Sequence, residues 1–276
     1  MSMSDSLIAP RAPPATVKRR LSRSQILGYA AIGFWIALAI GVAFFLIGSW
    51  DPAFFALYGP KYLSGLGVTL TLVALSITLG AIVSVPIAAG RMSRNPVLRA
   101  LAYSYVYFFR GTPLIAQLFL IYYGFGTFRP QLEAVGLWTI FRDAWNCALL
   151  AFTLNTAAYQ AEILRGSIES VPRGQHEGAV ALGLTRLQTL RKIIIPQALI
   201  VALRPYGNEI VLMIKASAIV AIVTVFDLMG ETRRAFSRTF DFQTYIWAAI
   251  IYLVLVETLR NVWAILENRL TRHLKR

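Results

Sequence analysis

Two adjacent polar residues, Asn208 and Glu209, interrupt the long apolar stretch 197–228. Ionisable groups in a membrane-spanning stretch are costly in lipid, so they usually face other helices or water. A carboxylate in a low-dielectric cavity strongly attracts an ammonium or guanidinium group. We therefore expect Asn208 and Glu209 to bind a cationic solute on its way through a membrane. The alternative is that Glu209 pairs with Arg204 or Lys215 and holds helices together.

A second set of polar side chains lies on the apolar stretch 146–164. Asn155, Tyr159 and Glu162 are spaced by four and three residues, which places them on one face of a helix. Asn155 and Tyr159 are candidates for the same passage. Glu162 lies near the inner end, where we expect an ion pair at the membrane surface. Gln117 either faces the passage or bonds a neighbouring helix, and the same alternative applies to Asn155.

Arg110 lies within a third apolar stretch, 100–124, and Pro113 follows it closely. Proline lacks an N–H group and clashes with the preceding turn, so we expect the helix to break there. This favours Arg110 as the end of an interfacial helix over Arg110 as a contact of the solute.

The polar connection 165–196 carries a spaced set of one carboxylate, several small residues and a proline. Its members are Glu177, Gly178, Ala179, Gly183, Ile193 and Pro196. A short helix with a small-residue face can approach a partner closely, a glycine permits a turn, and a proline suits the start of the next helix. The spacing therefore predicts two short helices that pass on mechanical force. The alternative is an amphipathic inner loop in which these residues occur by chance.

This set resembles the cytoplasmic loop of ABC-importer permeases, in which Glu-Ala-Ala is followed at fixed spacing by Gly and by Ile-x-Leu-Pro. Gly178 stands in place of the first Ala, and Ile195 in place of the Leu. The resemblance covers about residues 60–270 and is strongest with the polar amino-acid branch that takes up histidine, lysine-arginine-ornithine and opines. It is carried also by the segments Arg110–Leu114 with Gln117–Leu118, Leu154–Tyr159 with Glu162–Ile163, and Gly207–Glu209.

The resemblance implies an architecture and a set of partners. Residues 165–196 would contain the coupling helix, which docks in a cleft of an ATP-binding subunit, with Glu177 paired to a basic group there. A homodimer of that subunit would use ATP and Mg, while this chain binds no cofactor and is not an enzyme. A second permease subunit, expected to form a heterodimer, would complete the passage. A periplasmic or extracellular solute-binding protein would deliver a polar, cationic amino acid or a related compound.

The composition places these residues in a membrane protein, since 57% of the residues are hydrophobic and only 14% are charged. Six apolar stretches are long enough to cross the bilayer as helices: 26–48, 66–89, 100–124, 146–164, 197–228 and 244–266. Together with the resemblance, they predict an all-α type I ABC-importer transmembrane domain. Pro205, Gly207 and Asn208 predict a break or a bend in the fifth stretch.

The basic residues predict the orientation. With both termini in the cytoplasm, the inner segments hold 17 of the 27 Lys and Arg residues. We therefore attribute the net charge of +14 to membrane topology and not to nucleic-acid binding. Residues 1–25 are predicted to be a disordered basic cytosolic tail, and residues 26–48 an extra first transmembrane helix that the resembled branch lacks. We expect the protein in the bacterial inner membrane.

Other chemistries find little support. The chain has a single Cys147 and two histidines, which disfavours disulfides and metal clusters. It contains no G-x-x-x-x-G-K-[ST] nucleotide loop, so energy must come from another chain or another source. An ion-coupled secondary carrier is the alternative function, although such carriers usually show related halves. No Cys-His or Ser-His-Asp set lies within the spans, which disfavours an intramembrane enzyme.

Overall fold

The computed structural model describes residues 22–272, and all regular elements in this range are helices. They are α1 (Arg23–Gly48), α2 (Pro52–Arg91), α3 (Pro96–Gly111), α4 (Leu114–Phe119), α5 (Arg129–Ala134), α6 (Trp138–Phe141), α7 (Ala144–Glu169), α8 (Arg173–Ala181), α9 (Arg186–Thr189), α10 (Ile195–Ser217), α11 (Leu228–Thr239) and α12 (Gln243–Leu270). Two π-helical turns, Leu120–Gly124 and Leu190–Ile194, and one 3₁₀ turn, Ala218–Val223, extend these helices.

The chain divides into two compact units, Met1–Asp51 and Pro52–Arg276. In the described part of the first unit, α1 is an apolar helix that begins with a capping box between Ser22 and Gln25. Most of the predicted disordered tail lies outside the described residues. Residues 23–25, the last three of that predicted tail, belong to α1.

The core of the second unit is formed where α2, α4, α7 and α10 pack together, around Leu72, Leu118, Phe152 and Met213. Alanines are buried along α7, and small side chains let neighbouring helices approach closely. Gly80 of α2 shows how close the approach is, since a Cβ there would lie 2.5 Å from Thr156. The face of α7 that carries Thr156 and Gln160 is therefore held at short range against α2.

The predicted spans correspond to the helices with one clear exception. Within the described residues, four helical runs are long and apolar enough to cross a membrane: α1, α2, Arg186–Val223 and α12. The span 146–164 lies in α7, which has the length but a more polar composition. The span 100–124 is not a single helix, because α3 ends at Gly111 and α4 begins at Leu114. Pro113 lies at this break, as expected.

The predicted break around Pro205 is wrong, because α10 continues from Ile195 to Ser217 with Pro205 inside it. A proline removes one backbone hydrogen bond, but its fixed φ is compatible with a helix. Two residues before Pro205, the carbonyl of Leu203 accepts a hydrogen bond from the indole N–H of Trp263 at 2.8 Å. The change of helix type occurs later, at Ala218–Val223, which ends on Thr224 with a φ of 65°.

Candidate functional site

The connection between α7 and α10 folds as the sequence predicts. The two short helices α8 and α9 are separated by a turn in which Gly183 has a φ of 70°, a conformation that favours glycine. Ala179 is buried, while Glu177 and Gly178 are exposed on the same helix. A small cluster of Val171, Ile194 and Ala198 packs this connection against the start of α10.

The second short helix runs directly into α10 through the π-helical turn Leu190–Ile194. Pro196 lies in the first turn of α10, and Ile193 is half-buried in the π-helical turn. Because Pro196 has no N–H to donate to the preceding turn, a local widening of the helix is expected there. The proline therefore starts α10 as predicted, but without a separating loop. A rotation of α9 would be passed directly to α10.

Gln117 and Asn155 meet at the break between α3 and α4. Gln117 Nε2 donates to the carbonyls of Phe109 (2.9 Å) and Thr112 (3.1 Å) and to the Thr112 hydroxyl (2.8 Å). Asn155 Nδ2 donates to Gln117 Oε1 and to the Phe109 carbonyl, both at 3.0 Å. Backbone groups that the break leaves without helical partners are thus satisfied by side chains. Both residues are buried, and they connect α7 to the α3–α4 break.

Asn208 and Glu209 point to different sides of α10. Glu209 is buried and accepts a hydrogen bond from the Thr156 hydroxyl at 2.8 Å. Asn208 is exposed and lines a groove between α10 and α12. Arg204, considered above as a partner for Glu209, instead pairs with Glu267 at 2.6 Å. The two candidate residues therefore do not share one site within this chain.

A cleft of about 350 Å³ opens between α2, α3 and α7. Tyr103, Tyr107, Arg110, Tyr159, Arg91 and Glu162 are among its lining residues. The guanidinium of Arg110 lies over the ring of Tyr159, 5.1 Å from its centre, and that of Arg91 lies 4.9 Å from the centre of the Tyr103 ring. Such stacking is a favourable cation–π contact. Of the predicted pathway residues, the cleft contains Tyr159.

An ion-pair network includes two of the residues that line this cleft, Arg91 and Glu162. Glu162 pairs with Arg91 and with Arg165, both at 2.8 Å, and Arg165 also pairs with Glu169 at 2.6 Å. This agrees with the predicted ion pair of Glu162. Arg91 and Tyr103 line the cleft, but they were not predicted from the sequence as residues of a site. The spacing of Tyr103 and Tyr107 by four residues is the signal that could have indicated a tyrosine face on α3.

The fold, with the short helices α8 and α9 between α7 and α10, is similar to that of known proteins. Residues 76–272 match the family described as the binding-protein-dependent transport system inner membrane component. The chain belongs to this family. It is therefore the multi-pass membrane permease subunit of an ABC importer, and not itself an enzyme.

Individual relatives agree with this assignment. The permease is 42% identical to the nopaline transport system permease protein NocM of Agrobacterium fabrum. The aligned 217 residues cover 78% of this chain and 90% of that protein. It is 37% identical to the histidine/lysine/arginine/ornithine transport system permease protein HisM of Escherichia coli, over 77% of this chain and 90% of that one. The arginine ABC transporter permease protein ArtM of the same organism is 35% identical, over 77% and 95%.

Solved structures show the same fold. A chain in the crystal structure of an amino acid ABC transporter with histidines matches with a TM-score of 0.71 and 36% identity, covering 80% of the permease and 99% of that chain. The inward-facing MetNI methionine ABC transporter matches with a TM-score of 0.63 at 19% identity. The all-helical type I importer fold expected from the sequence is confirmed. These matches give no support to an ion-coupled secondary carrier.

Proposed function

We propose that this permease imports an amino acid or opine with an arginine-like cationic group, and that α8 couples its movement to ATP hydrolysis in a partner. The support for the substrate class is that relatives of the permease are named for nopaline, octopine, arginine and histidine/lysine/arginine/ornithine transport. Most of these solutes carry a guanidinium or ammonium side group. A carboxylate such as Glu209 suits such a cation electrostatically.

The proposed coupling role is supported by the exposed apolar surface of the α8–α9 segment. Val180, Leu182 and Leu187 are each more than 70% exposed. Val180 follows the exposed Glu177 by three residues on α8, which places the two on one face of that helix. Exposed apolar side chains next to a charge are typical of a surface that binds another protein. Ala179 faces inward and fixes the helix to the rest of the permease.

The proposed complex contains four further protein chains, of three kinds. A homodimer of ATP-binding subunits uses ATP and Mg and receives α8. A second permease subunit, forming a heterodimer with this one, completes the passage. A solute-binding protein delivers the substrate on the outer side, and both termini of this permease lie in the cytoplasm of a bacterial cell. The distribution of Lys and Arg supports that orientation, because it concentrates basic residues on the side of the α8–α9 segment.

Within this proposal, three kinds of role belong to the predicted pathway residues Asn155, Tyr159, Gln117, Asn208 and Glu209. Tyr159 lines the cleft. Glu209, which accepts a hydrogen bond from Thr156, supplies a negative charge for the cationic group of the solute. Gln117 and Asn155 position the α3–α4 break beside the cleft. Asn208 contacts a solute or the second permease subunit from the exposed side of α10.

The test is a charge reversal on α8. In Glu177→Arg, we expect the amount of ATP-binding subunit that copurifies with the permease, and the uptake of labelled arginine, to fall at least about ten-fold, since like charges replace a paired contact. Gly183→Val should give a similar loss because its backbone is in the left-handed region, which a β-branched residue strongly disfavours.

The control is Glu133→Arg, the same charge reversal on the exposed helix α5. It should leave copurification and uptake unchanged. Normal docking and normal uptake in both Glu177→Arg and Gly183→Val would contradict the proposed coupling role.

A further inference from the structure

We propose that the cleft between α2, α3 and α7 is a binding subsite for the carboxylate of the transported solute, with the Arg110 guanidinium as the group that binds it. This inference rests on the proposed function as an amino-acid or opine importer, and it adds a recognition site to it. Amino acids and opines all carry at least one carboxylate, whatever their side group.

The first argument is that Arg110 is the available cation of the cleft. Arg91 and Arg165 are both paired with Glu162. Arg110 is exposed, and in the described part of the chain it lies over the ring of Tyr159 and interacts electrostatically with the buried Glu209, but it makes no hydrogen bond or ion pair there. A guanidinium stacked on a ring by its flat face keeps its N–H donors at the edge free. Those donors can bind a carboxylate in the bidentate manner.

The second argument is that the position of Arg110 is fixed by its surroundings. The carbonyl of Phe109, the residue before Arg110, accepts hydrogen bonds from both Gln117 and Asn155. The carbonyl of Thr112, two residues after Arg110, accepts from Gln117. The backbone on both sides of Arg110 is therefore anchored to buried side chains. A pre-organised guanidinium loses less entropy when it binds a ligand.

The third argument is that the charges of the cleft favour an anionic group. Among the residues that line the cleft, the acidic one is Glu162, and its two arginine partners already neutralise it. Glu209 interacts electrostatically with Arg110, but it is buried outside this lining and bonded to Thr156. The lining tyrosines, Tyr103, Tyr107 and Tyr159, add hydroxyl groups and ring edges. A volume of about 350 Å³ accommodates the main-chain part of an amino acid. A carboxylate therefore finds polar surroundings and the Arg110 guanidinium, which makes no ion pair among residues 22–272.

The experiment measures whether Arg110 discriminates a carboxylate from its amide. The complete complex, purified through this permease and placed in nanodiscs without the solute-binding protein, is incubated with labelled arginine, lysine or histidine, whichever the wild type binds most tightly. The carboxamide of the same amino acid serves as the competitor. In the wild type, the free acid should compete at least about ten-fold better than the amide, as expected for a charge-assisted bidentate contact.

Arg110→Gln should reduce this ratio to near one, while Arg110→Lys should retain part of it. Tyr159→Phe keeps the ring and should keep the ratio, whereas Tyr159→Leu should lower it. Arg99→Gln is the matched control, since it removes the same charge from an exposed position of α3 outside the cleft. It should leave the ratio unchanged.

Two results would overturn the inference. One is a wild-type complex that does not distinguish acid from amide, including one that binds neither. The other is an Arg110→Gln complex that weakens acid and amide equally or retains the wild-type ratio, since either outcome assigns Arg110 a purely structural role. Failure of the proposed function is recognised separately, because the ATP-binding subunit would then be absent from the purified complex in the wild type as well.

Discussion

The environment of Glu209 illustrates how one buried carboxylate can matter in a membrane protein. Its side chain is buried on the α7 side of α10 and holds a hydrogen bond from Thr156. A charged group in this position is costly unless partners or a ligand offset the desolvation. Its neighbour Asn208 is exposed and lines the groove between α10 and α12. We therefore assign the electrostatic role to Glu209 and not to the pair.

The first residue-scale prediction concerns the charge of Glu209. Glu209→Gln keeps the shape and an oxygen that can accept from Thr156, so assembly with the ATP-binding subunit should be retained. Uptake of a cationic amino acid should fall at least about ten-fold, because the attraction for the cation is lost. Uptake kinetics and copurification in parallel test this. Unchanged transport kinetics would remove Glu209 from the candidate site.

A second residue-scale prediction concerns Gly207, which lies against the ring of Trp263. A Cβ at this position would overlap the indole ring. Gly207→Ala should therefore destabilise the permease by about 1–3 kcal/mol through overpacking between α10 and α12. The measurement is the free energy of unfolding in mixed micelles. Gly166→Ala is the control, since α7 has open space there and alanine favours a helix. Equal stability of both variants would show that α10 and α12 are farther apart than described.

At the scale of elements, the break between α3 and α4 is stabilised by side chains of other residues. Gln117 and Asn155 satisfy the carbonyls that Pro113 and the break leave without helical donors. Neither amide can be removed without leaving buried groups unsatisfied. The break is therefore a fixed feature of the fold, and it places Arg110 at the edge of the cleft.

The corresponding prediction is a double-mutant cycle. Gln117→Leu and Asn155→Leu should each lower the free energy of unfolding by about 1–3 kcal/mol, because each leaves buried polar groups unpaired. The double variant should cost less than the sum, since the two amides bond each other at 3.0 Å. Gln131→Leu, at an exposed position of α5, is the control. Strict additivity would argue against a direct pair.

The elements also show what the sequence could and could not predict. The turn at Gly183 and the break at Pro113 were predictable, because the backbone demands of these residue types are local. The continuity of α10 through Pro205 was not, because packing against distant parts of the chain can override the local preference of a proline against a helix interior. The pairs Arg91–Glu162 and Gln117–Asn155 were missed for the same reason. Helical spacing identifies residues on one face of a helix, but it does not identify the partner helix.

For the second unit as a whole, α7 connects the sites. It carries Asn155 at the α3–α4 break, Tyr159 in the cleft and Glu162 in the ion-pair network. After Glu169 the chain turns and enters α8. A rigid helix that is packed along its length moves as one body. We therefore expect a displacement of α8 by the ATP-binding subunit to reach the cleft through α7, and to reach α10 through the continuous helical run from α9.

Cysteine labelling shows whether the ATP-binding subunit covers α8. In a Cys147→Ala background, where the buried native thiol is removed, Gly178→Cys places a thiol at an exposed, uncrowded position of α8. Val135→Cys, exposed and distant in sequence from α8, is the control. We expect a membrane-permeant maleimide to label Gly178→Cys readily in the permease without the ATP-binding subunit. In the complete complex, labelling should be at least about ten-fold slower. Val135→Cys should be labelled equally in both. Equal labelling of Gly178→Cys with and without the ATP-binding subunit would show that this subunit does not cover α8.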